Sequence, residues 1–239
     1  SVSVFSKASV HWHTPGNVTS IPPFVRLRSS LSSVLEEYGD PKLRAMNKIA
    51  FFNQDICTLQ VDAIVNSIGT DPVENRERGI SGVIHETAGK KELSDACASM
   101  LPTLQAGDAF STQPFLLKSH HVKRIIHTCG PTGENASELI SSYRRSLDIC
   151  VDEGLRSAAF CCISTGRRRA FPHDAAAKTV LPVLLEYLAE HYDKFDMIVL
   201  CLYTPEAKSA YEEVIKGTLN RRNSAITNMF HFWNSKTIT

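Results

Sequence analysis

Residues 54–85 read QDICTLQVDAIVNSIGTDPVENRERGISGVIH, and the way this stretch folds decides the architecture. The run 61–65 is short, apolar and rich in Val and Ile, as a strand buried on both faces should be. Residues 83–89 read as a short helix that stops at Gly89, where a left-handed residue is easily placed. A loop between such a strand and helix is a place where small residues let backbone amides approach an anion. Here the loop carries Asp71, Glu74 and Glu77 with Arg76 and Arg78, and its glycines are Gly69, Gly79 and, next to the helix, Gly82. It has the position of a phosphate-handling turn with much of the chemistry taken out.

The pattern continues outward from this stretch. Short runs rich in Ile, Val, Phe or Cys recur at 49–52, 63–65, 122–126, 158–163 and 197–203. Helical stripes lie between and after them: Leu139, Tyr143, Leu147 and Val151; Ala177, Leu181, Leu184 and Leu188, with Pro182 inside as an expected kink; and Ala207, Ala210, Tyr211 and Val214. The last opens on Thr204-Pro205-Glu206, a cap, a first-turn proline and an acid. Strands alternating with helices imply a layered α/β domain with a mostly parallel or mixed sheet. Ligands of such sheets sit beyond the carboxyl ends of the strands, so function is sought just after Val65, Ile163 and Tyr203. Residues 1–46 read as an extension, broken by Pro15-Gly16 and Pro22-Pro23, with a short helix expected over 28–38 and a turn at Gly39-Asp40-Pro41. Residues 220–239 read as a tail that contains MFHFW at 229–233.

Composition sets the outer bounds. The chain has 239 residues, 43% hydrophobic and 21% charged, and no apolar run of membrane-spanning length. Its seven cysteines form no CxxC pair and several lie in apolar runs, so a reducing compartment is expected, cytoplasm or nucleus. Residues 1–34 hold Lys7, Arg26 and Arg28 and no acid; residues 214–239 hold Lys216, Arg221, Arg222 and Lys236 and no acid. The middle is therefore acidic, which does not suit a duplex nucleic-acid face. The Ser-rich start has two arginines and no clear amphipathic repeat, short of a transit peptide.

No GxGxxG, Walker loop, HExxH, GxSxG or zinc-ligand spacing is present, and no metal or cofactor is expected. His11 and His13 read as surface histidines. ISTGRRRAFPHD (163–174) runs from a strand end through small residues to a helix start, with Arg167, Arg168 and Arg169 beside it. Guanidinium groups and free amides there suit phosphate oxygens; a tight turn with solvated arginines fits equally well. IHTCGP (126–131) makes His127 a hydrogen-bonded core residue rather than a catalyst.

Taken together these segments resemble the macrodomain family, and within it the branch of MacroD-type ADP-ribosylhydrolases. The likeness spans about residues 47–216 and rests on Asp55-Ile56, the run from Val61 to Asn66, Ile84-His85 with Ala88-Gly89, Gly107-Asp108-Ala109, Ile126-His127-Thr128 with Gly130-Pro131, Tyr143-Arg144 with Ser146-Leu147, and Ile163-Ser164-Thr165-Gly166. The resemblance implies a three-layer α/β/α macrodomain with a mixed central sheet over 47–219, an N-terminal extension over 1–46 and a C-terminal tail over 220–239.

It also implies ADP-ribose as ligand. Asp55 matches the acid that accepts from the adenine amino group, and Ile56 supplies a backbone contact. Tyr203 stands where an aromatic ring covers the adenine. Ser164, Thr165 and Gly166 match the loop that wraps the diphosphate, and Asn66 matches the first asparagine of the family motif. Active members then carry a second asparagine, a glycine-rich run and an acid near the distal ribose. Here those positions are Gly69, Arg76-Glu77-Arg78-Gly79 and Ser81. A serine cannot serve as the general base that a carboxylate can. The loop of Arg167, Arg168, Arg169 and Ala170 replaces a hydrophobic-aromatic-glycine segment. Its arginines either clamp phosphates or pair with Asp71, Glu74 and Glu77 and shut the cleft.

The preferred reading is a monomeric macrodomain that binds ADP-ribose or ADP-ribosylated protein, without efficient hydrolysis and without membrane association. Two others stay open. One is an active mono-ADP-ribosylhydrolase using a displaced acid, Glu74 or Glu77. The other is a protein- or RNA-interaction module on a macrodomain frame.

Overall fold

The computed structural model describes residues 25–26, 41–69, 71, 75 and 77–220. The helix expected over 28–38, the aromatic tail at 229–233 and Glu74 lie outside the described residues. Seven strands form one sheet: β1 (Val25–Arg26), β2 (Ile49–Phe52), β3 (Ala63–Ile68), β4 (Ala109–Thr112), β5 (Arg124–Cys129), β6 (Ser157–Cys161) and β7 (Met197–Cys201), in the spatial order β1-β2-β7-β6-β3-β5-β4. The five inner strands β2, β7, β6, β3 and β5 are parallel, and β1 and β4 pair antiparallel at the edges. The sheet is mixed, with helices on both faces.

Six α-helices are described: α1 (Pro41–Ala45), α2 (Gly79–Ala88), α3 (Lys90–Ala98), α4 (Ala136–Asp152), α5 (His173–Glu190) and α6 (Pro205–Asn220). Helices α4, α5 and α6 pack side by side with α1 against α5, while α2 and α3 pack together and lie on β3 and β4. Side-chain alternation agrees. On β3, Asn66 points toward Ser81 of α2, and its neighbour in register, His127 of β5, points toward Cys97 of α3. Helix α4 buries Leu139, Tyr143 and Leu147 of the expected stripe, but Cys150 rather than Val151 is its next fully buried position, and Val151 is only partly buried. Tyr143 stacks on Phe160 of β6 with ring centroids 5.1 Å apart. Asn135 caps this helix by accepting from the Glu138 N–H.

The strands follow the apolar runs closely because the parallel core is covered on both faces: β7 is buried at every position. Strand β4 was not legible, being four residues with only Phe110 buried. Pro41 does not end a segment but starts α1, as proline can in a first turn. Ala45 and Met46 are buried in the main core, so the packed body begins before residue 47. Pro182 is exposed and α5 runs through it without interruption.

Asp62 ties the lower ends of three strands. Its carboxylate accepts from the N–H groups of Arg156 (2.7 Å) and Ser157 (3.2 Å) before β6, and pairs with Lys123 (2.8 Å) before β5. Its own N–H donates to Ser157 Oγ, and its carbonyl accepts from Lys123 and Arg124. The opposite, carboxyl ends of β2, β7, β6, β3 and β5 consequently line one rim.

Candidate functional site

That rim spans four strand spacings, about 19 Å, with a loop rising from each strand. At one end, Asp55 follows β2 and Tyr203 follows β7. The two strands are neighbours, joined past their ends by the Leu202 N–H donating to the Phe52 carbonyl (2.7 Å). Asp55 is exposed and one carboxylate oxygen accepts from the Cys57 N–H (2.9 Å), capping a short 3₁₀ turn over Ile56–Thr58. Ile56 is buried beneath it. Tyr203 is 77% exposed, a large ring left open to solvent on a domain whose other aromatic side chains are largely covered. A carboxylate and an uncovered ring side by side can accept a hydrogen bond from, and stack on, a heteroaromatic base.

The middle of the rim is the loop after β6. Ser164 has φ +62° and Ala170 φ +53°; two non-glycine residues in the left-handed region are held there by the bonds around them. Phe171 is buried and donates its N–H to the Ser164 carbonyl (3.0 Å), closing the loop at its base. Thr165 Oγ1 donates to the Cys162 carbonyl (3.1 Å). Gly166 is exposed, and the N–H groups of Gly166 and Arg167 make no hydrogen bond among the described residues. Ser164 is 4% exposed, and its hydroxyl lacks a hydrogen-bond partner. Gly130, after β5, lies so near that an added Cβ would overlap Ser164 Oγ and Ile163.

At the other end the cleft is occupied by the protein itself. Arg167 and Arg168 are exposed, but Arg169 turns inward. Its guanidinium donates to the carbonyl oxygens of Gly130 and of Ile68 (3.1 Å), and lies 3.8 Å from Cys129 Sγ. It thereby bridges the ends of β5 and β3. Gly69 is its floor: a Cβ there would stand 2.9 Å from Arg169 Nη2. Pairing with Asp71, Glu74 and Glu77, one of the two arrangements left open for the arginine loop, is not how Arg169 is held: its partners are backbone carbonyls. Glu77 pairs with Lys90 at 3.1 Å on the helical surface, and both are substantially exposed.

The loop after β3 is held by a residue that no sequence pattern singles out. Asn75 is 6% exposed; its Oδ1 accepts from the Gly69 N–H and its Nδ2 donates to the Gly69 carbonyl, both at 2.7 Å. One amide side chain so satisfies both backbone groups of Gly69. The only local signal is an asparagine six residues beyond a glycine in a turn, which is too common to be informative.

Behind this end lies a buried polar layer. Asn66 is fully buried and donates to Ser81 Oγ (3.1 Å), with Nδ2 also 3.3 Å from His127 Nδ1. Ser81 is 4% exposed, and its carbonyl is 2.8 Å from His85 Nδ1. His127 Nε2 meets Thr112 Oγ1 at 2.9 Å, and the ring stacks on Phe110. Burial, aided by nearby His85, pushes the His127 pKa down to about 3, so the ring is neutral at physiological pH. His127 is thus the core residue expected. Asn66 presents no surface to a ligand in this arrangement. A cavity of about 10 Å³ beside it, lined by Ile68, Asn75, His85, Ser94, Cys97 and Leu101, has room for about one water.

The cysteines offer no nucleophile. Burial pushes Cys57, Cys97 and Cys162 up to about 12 and Cys161 up to about 11, and all seven thiols are free. Among the described residues there is no cluster of metal-ligating side chains, and no helix is long and apolar enough to cross a membrane.

Comparison with known proteins matches the same segment. The Macro domain family model covers residues 65–180. Over 200 residues the chain is 36% identical to the ADP-ribose glycohydrolase MACROD1 of Rattus norvegicus, spanning 81% of this chain and 74% of that protein. Identity to the Bos taurus protein of the same name is also 36%, but there the chain spans only 59% of the relative's length. Among solved structures, the Trypanosoma brucei macrodomain in complex with ADP-ribose superposes with a TM-score of 0.63 at 30% identity, covering 74% of this chain and 72% of that one.

Proposed function

The chain belongs to the macrodomain family, and on that footing we propose that it binds ADP-ribose, free or attached to protein, and hydrolyses it poorly or not at all. One observation carries the reading: the two ends of the rim have diverged. The β2–β7 end keeps an exposed carboxylate, Asp55, beside an uncovered ring, Tyr203, which suits adenine. The β3–β5 end has Gly69 and the buried Ser81 where active relatives are expected to have an asparagine and an acid, and the Arg169 guanidinium lies against Gly69.

The unbonded amides of Gly166 and Arg167 lie between these ends and suit the diphosphate. Of the displaced acids weighed for hydrolysis, Glu77 is turned to Lys90 on the surface. A carboxylate neutralised there is badly placed to activate water.

Calorimetric titration with Asp55→Ala tests the binding half. Loss of the adenine acceptor leaves a donor unpaired and weakens ADP-ribose binding by about 1–3 kcal/mol. Equal affinity in the variant means adenine does not sit at Asp55. The catalytic half is tested by release of ADP-ribose from a mono-ADP-ribosylated protein. The native chain and Ser81→Asp are both expected to be inactive, since the single change leaves Gly69 and Arg169 in place. Turnover in either refutes it.

A further inference from the structure

Arg169 differs from its two neighbours in a way that bears on the ligand. It is a partly buried cation whose partners, the carbonyls of Ile68 and Gly130 and the sulfur of Cys129, are all uncharged. No carboxylate reaches it among the described residues. Beside it, across Gly130, the buried Ser164 hydroxyl has no partner. The Gly166 and Arg167 amides, three and two residues before it, are also unbonded. A guanidinium bonded only to uncharged groups, a hydroxyl without a partner and two unbonded amides therefore gather in one loop. This is a donor-rich place, and among the described residues no carboxylate pairs with Arg169.

We propose that Arg169 makes this cleft select an adenine nucleotide with a free terminal phosphate, such as ADP, over ADP-ribose. The inference rests on the adenine placement at Asp55 and Tyr203 argued above, and adds what lies at the far end. A terminal phosphate carries close to two negative charges at neutral pH, whereas both phosphates of ADP-ribose are esterified and carry one each. A planar guanidinium fork is suited to the doubly charged group. Space acts in the same direction. The ground beyond the phosphates, above Gly69, is taken by Nη2, within 2.9 Å of where a Cβ would stand. A second ribose can enter only after the guanidinium leaves both carbonyls. A terminal phosphate meets the guanidinium where it is.

The test is calorimetric titration of ADP and of ADP-ribose, separately, into the full chain and into Arg169→Ala, Arg169→Lys and Asp55→Ala. The native chain is expected to bind ADP at least about ten-fold tighter than ADP-ribose. Arg169→Ala is expected to bring the two to parity or reverse them, and Arg169→Lys, a point charge without the fork, to fall between. Native protein that binds ADP-ribose as tightly as ADP overturns the inference, as does an unchanged ratio in Arg169→Ala. The comparison within the native chain requires no variant to fold. Asp55→Ala reports the underlying reading separately. Weakening of both ligands by the same factor leaves the adenine site standing whatever the ratio. No effect on either, or no binding of either to the native chain, removes the adenine site and the inference with it.

Discussion

Gly69 and Arg169 depend on each other, and a double-mutant cycle measures by how much. An asparagine at 69 brings a Cβ to 2.9 Å from Arg169 Nη2 and a longer side chain beyond it. The tip of an arginine can move, but here it holds the carbonyls of Ile68 and Gly130. Hydrogen bonds from charged donors contribute about 1.5–3 kcal/mol each. The displaced guanidinium recovers part of that in water, which leaves a net loss of about 2–4 kcal/mol for Gly69→Asn. Arg169→Ala loses the same two bonds directly. In the double variant they are lost once, and the asparagine enters space already vacated. The coupling energy is therefore about 2–4 kcal/mol, far outside the additivity of independent sites, about 0.5 kcal/mol. By thermal unfolding, at about 2–4 °C per kcal/mol for a domain of this size, each single variant falls by about 4–16 °C and the double falls no further than Arg169→Ala. Gly69→Ala, with the Cβ alone, should lie between the native protein and Gly69→Asn. Additive losses in the double variant would show that Arg169 does not rest on Gly69.

Three other outcomes follow from the packing. Asp62→Ala removes the carboxylate that holds two N–H groups before β6, and should destabilise by about 3–5 kcal/mol in denaturant unfolding. Asp62→Asn keeps an acceptor and should lose about half of that or less; equal losses would mean that the Lys123 ion pair matters more than the amides. Pro182 sits exposed inside α5 and denies the Lys178 carbonyl its helical donor, so Pro182→Ala should stabilise by about 1–3 kcal/mol, and a lower melting temperature would contradict this. His127 has its pKa pushed down to about 3 in the folded chain, mainly by burial, while the unfolded chain titrates near 6.5. Between those values the unfolded state holds the extra proton, so stability is full above about pH 6.5 and falls by about 1.4 kcal/mol per pH unit as the pH drops. His127→Gln should flatten that slope between pH 6.5 and 5, read by urea unfolding at each pH, and an unchanged slope would assign the proton elsewhere.

The parallel core was legible in the sequence because both of its faces are covered. Runs such as 49–52 and 197–201 carry no polar residue to blur them, and β2 has the bounds that the apolar run set. Strand β4 and helix α3 escaped because each has one face toward solvent and few buried residues, Phe110 in one, Leu93 and Cys97 in the other. The rim was legible where a residue acts through its own chemistry, as an acid or an aromatic ring after a strand. It was not legible where residues act through a partner. Three consecutive arginines look alike in sequence, and only the fold separates the two exposed ones from Arg169. What singles out Arg169 is the missing side chain at Gly69, just past the end of β3 and far away in sequence. Asn75 is hidden for the same reason: its amide matters only because it meets both backbone groups of Gly69.

The architecture also holds the two ends of the rim by separate sets of contacts, in keeping with the proposed reading. Asp55 and Tyr203 are set by β2 and β7, whose register is fixed by buried pairs such as Ala50 with Val199 and Phe51 with Leu200. Nothing in that register involves the loop after β3. At the other end, the residues that stand in the expected catalytic positions are tied up by internal contacts. Ser81, smaller and neutral, accepts from Asn66 inside the domain, where a carboxylate would need more donors than one amide. Asn75 closes the loop onto Gly69, and Arg169 enters the volume that a side chain at 69 would have taken. Asn75 and Arg169 thus both meet Gly69, while Ser81 meets Asn66 in the buried layer. On the proposed reading, hydrolysis is expected only when Gly69, Ser81 and Arg169 change together, whereas the proposed binding at Asp55 and Tyr203 is expected to respond to one residue at a time.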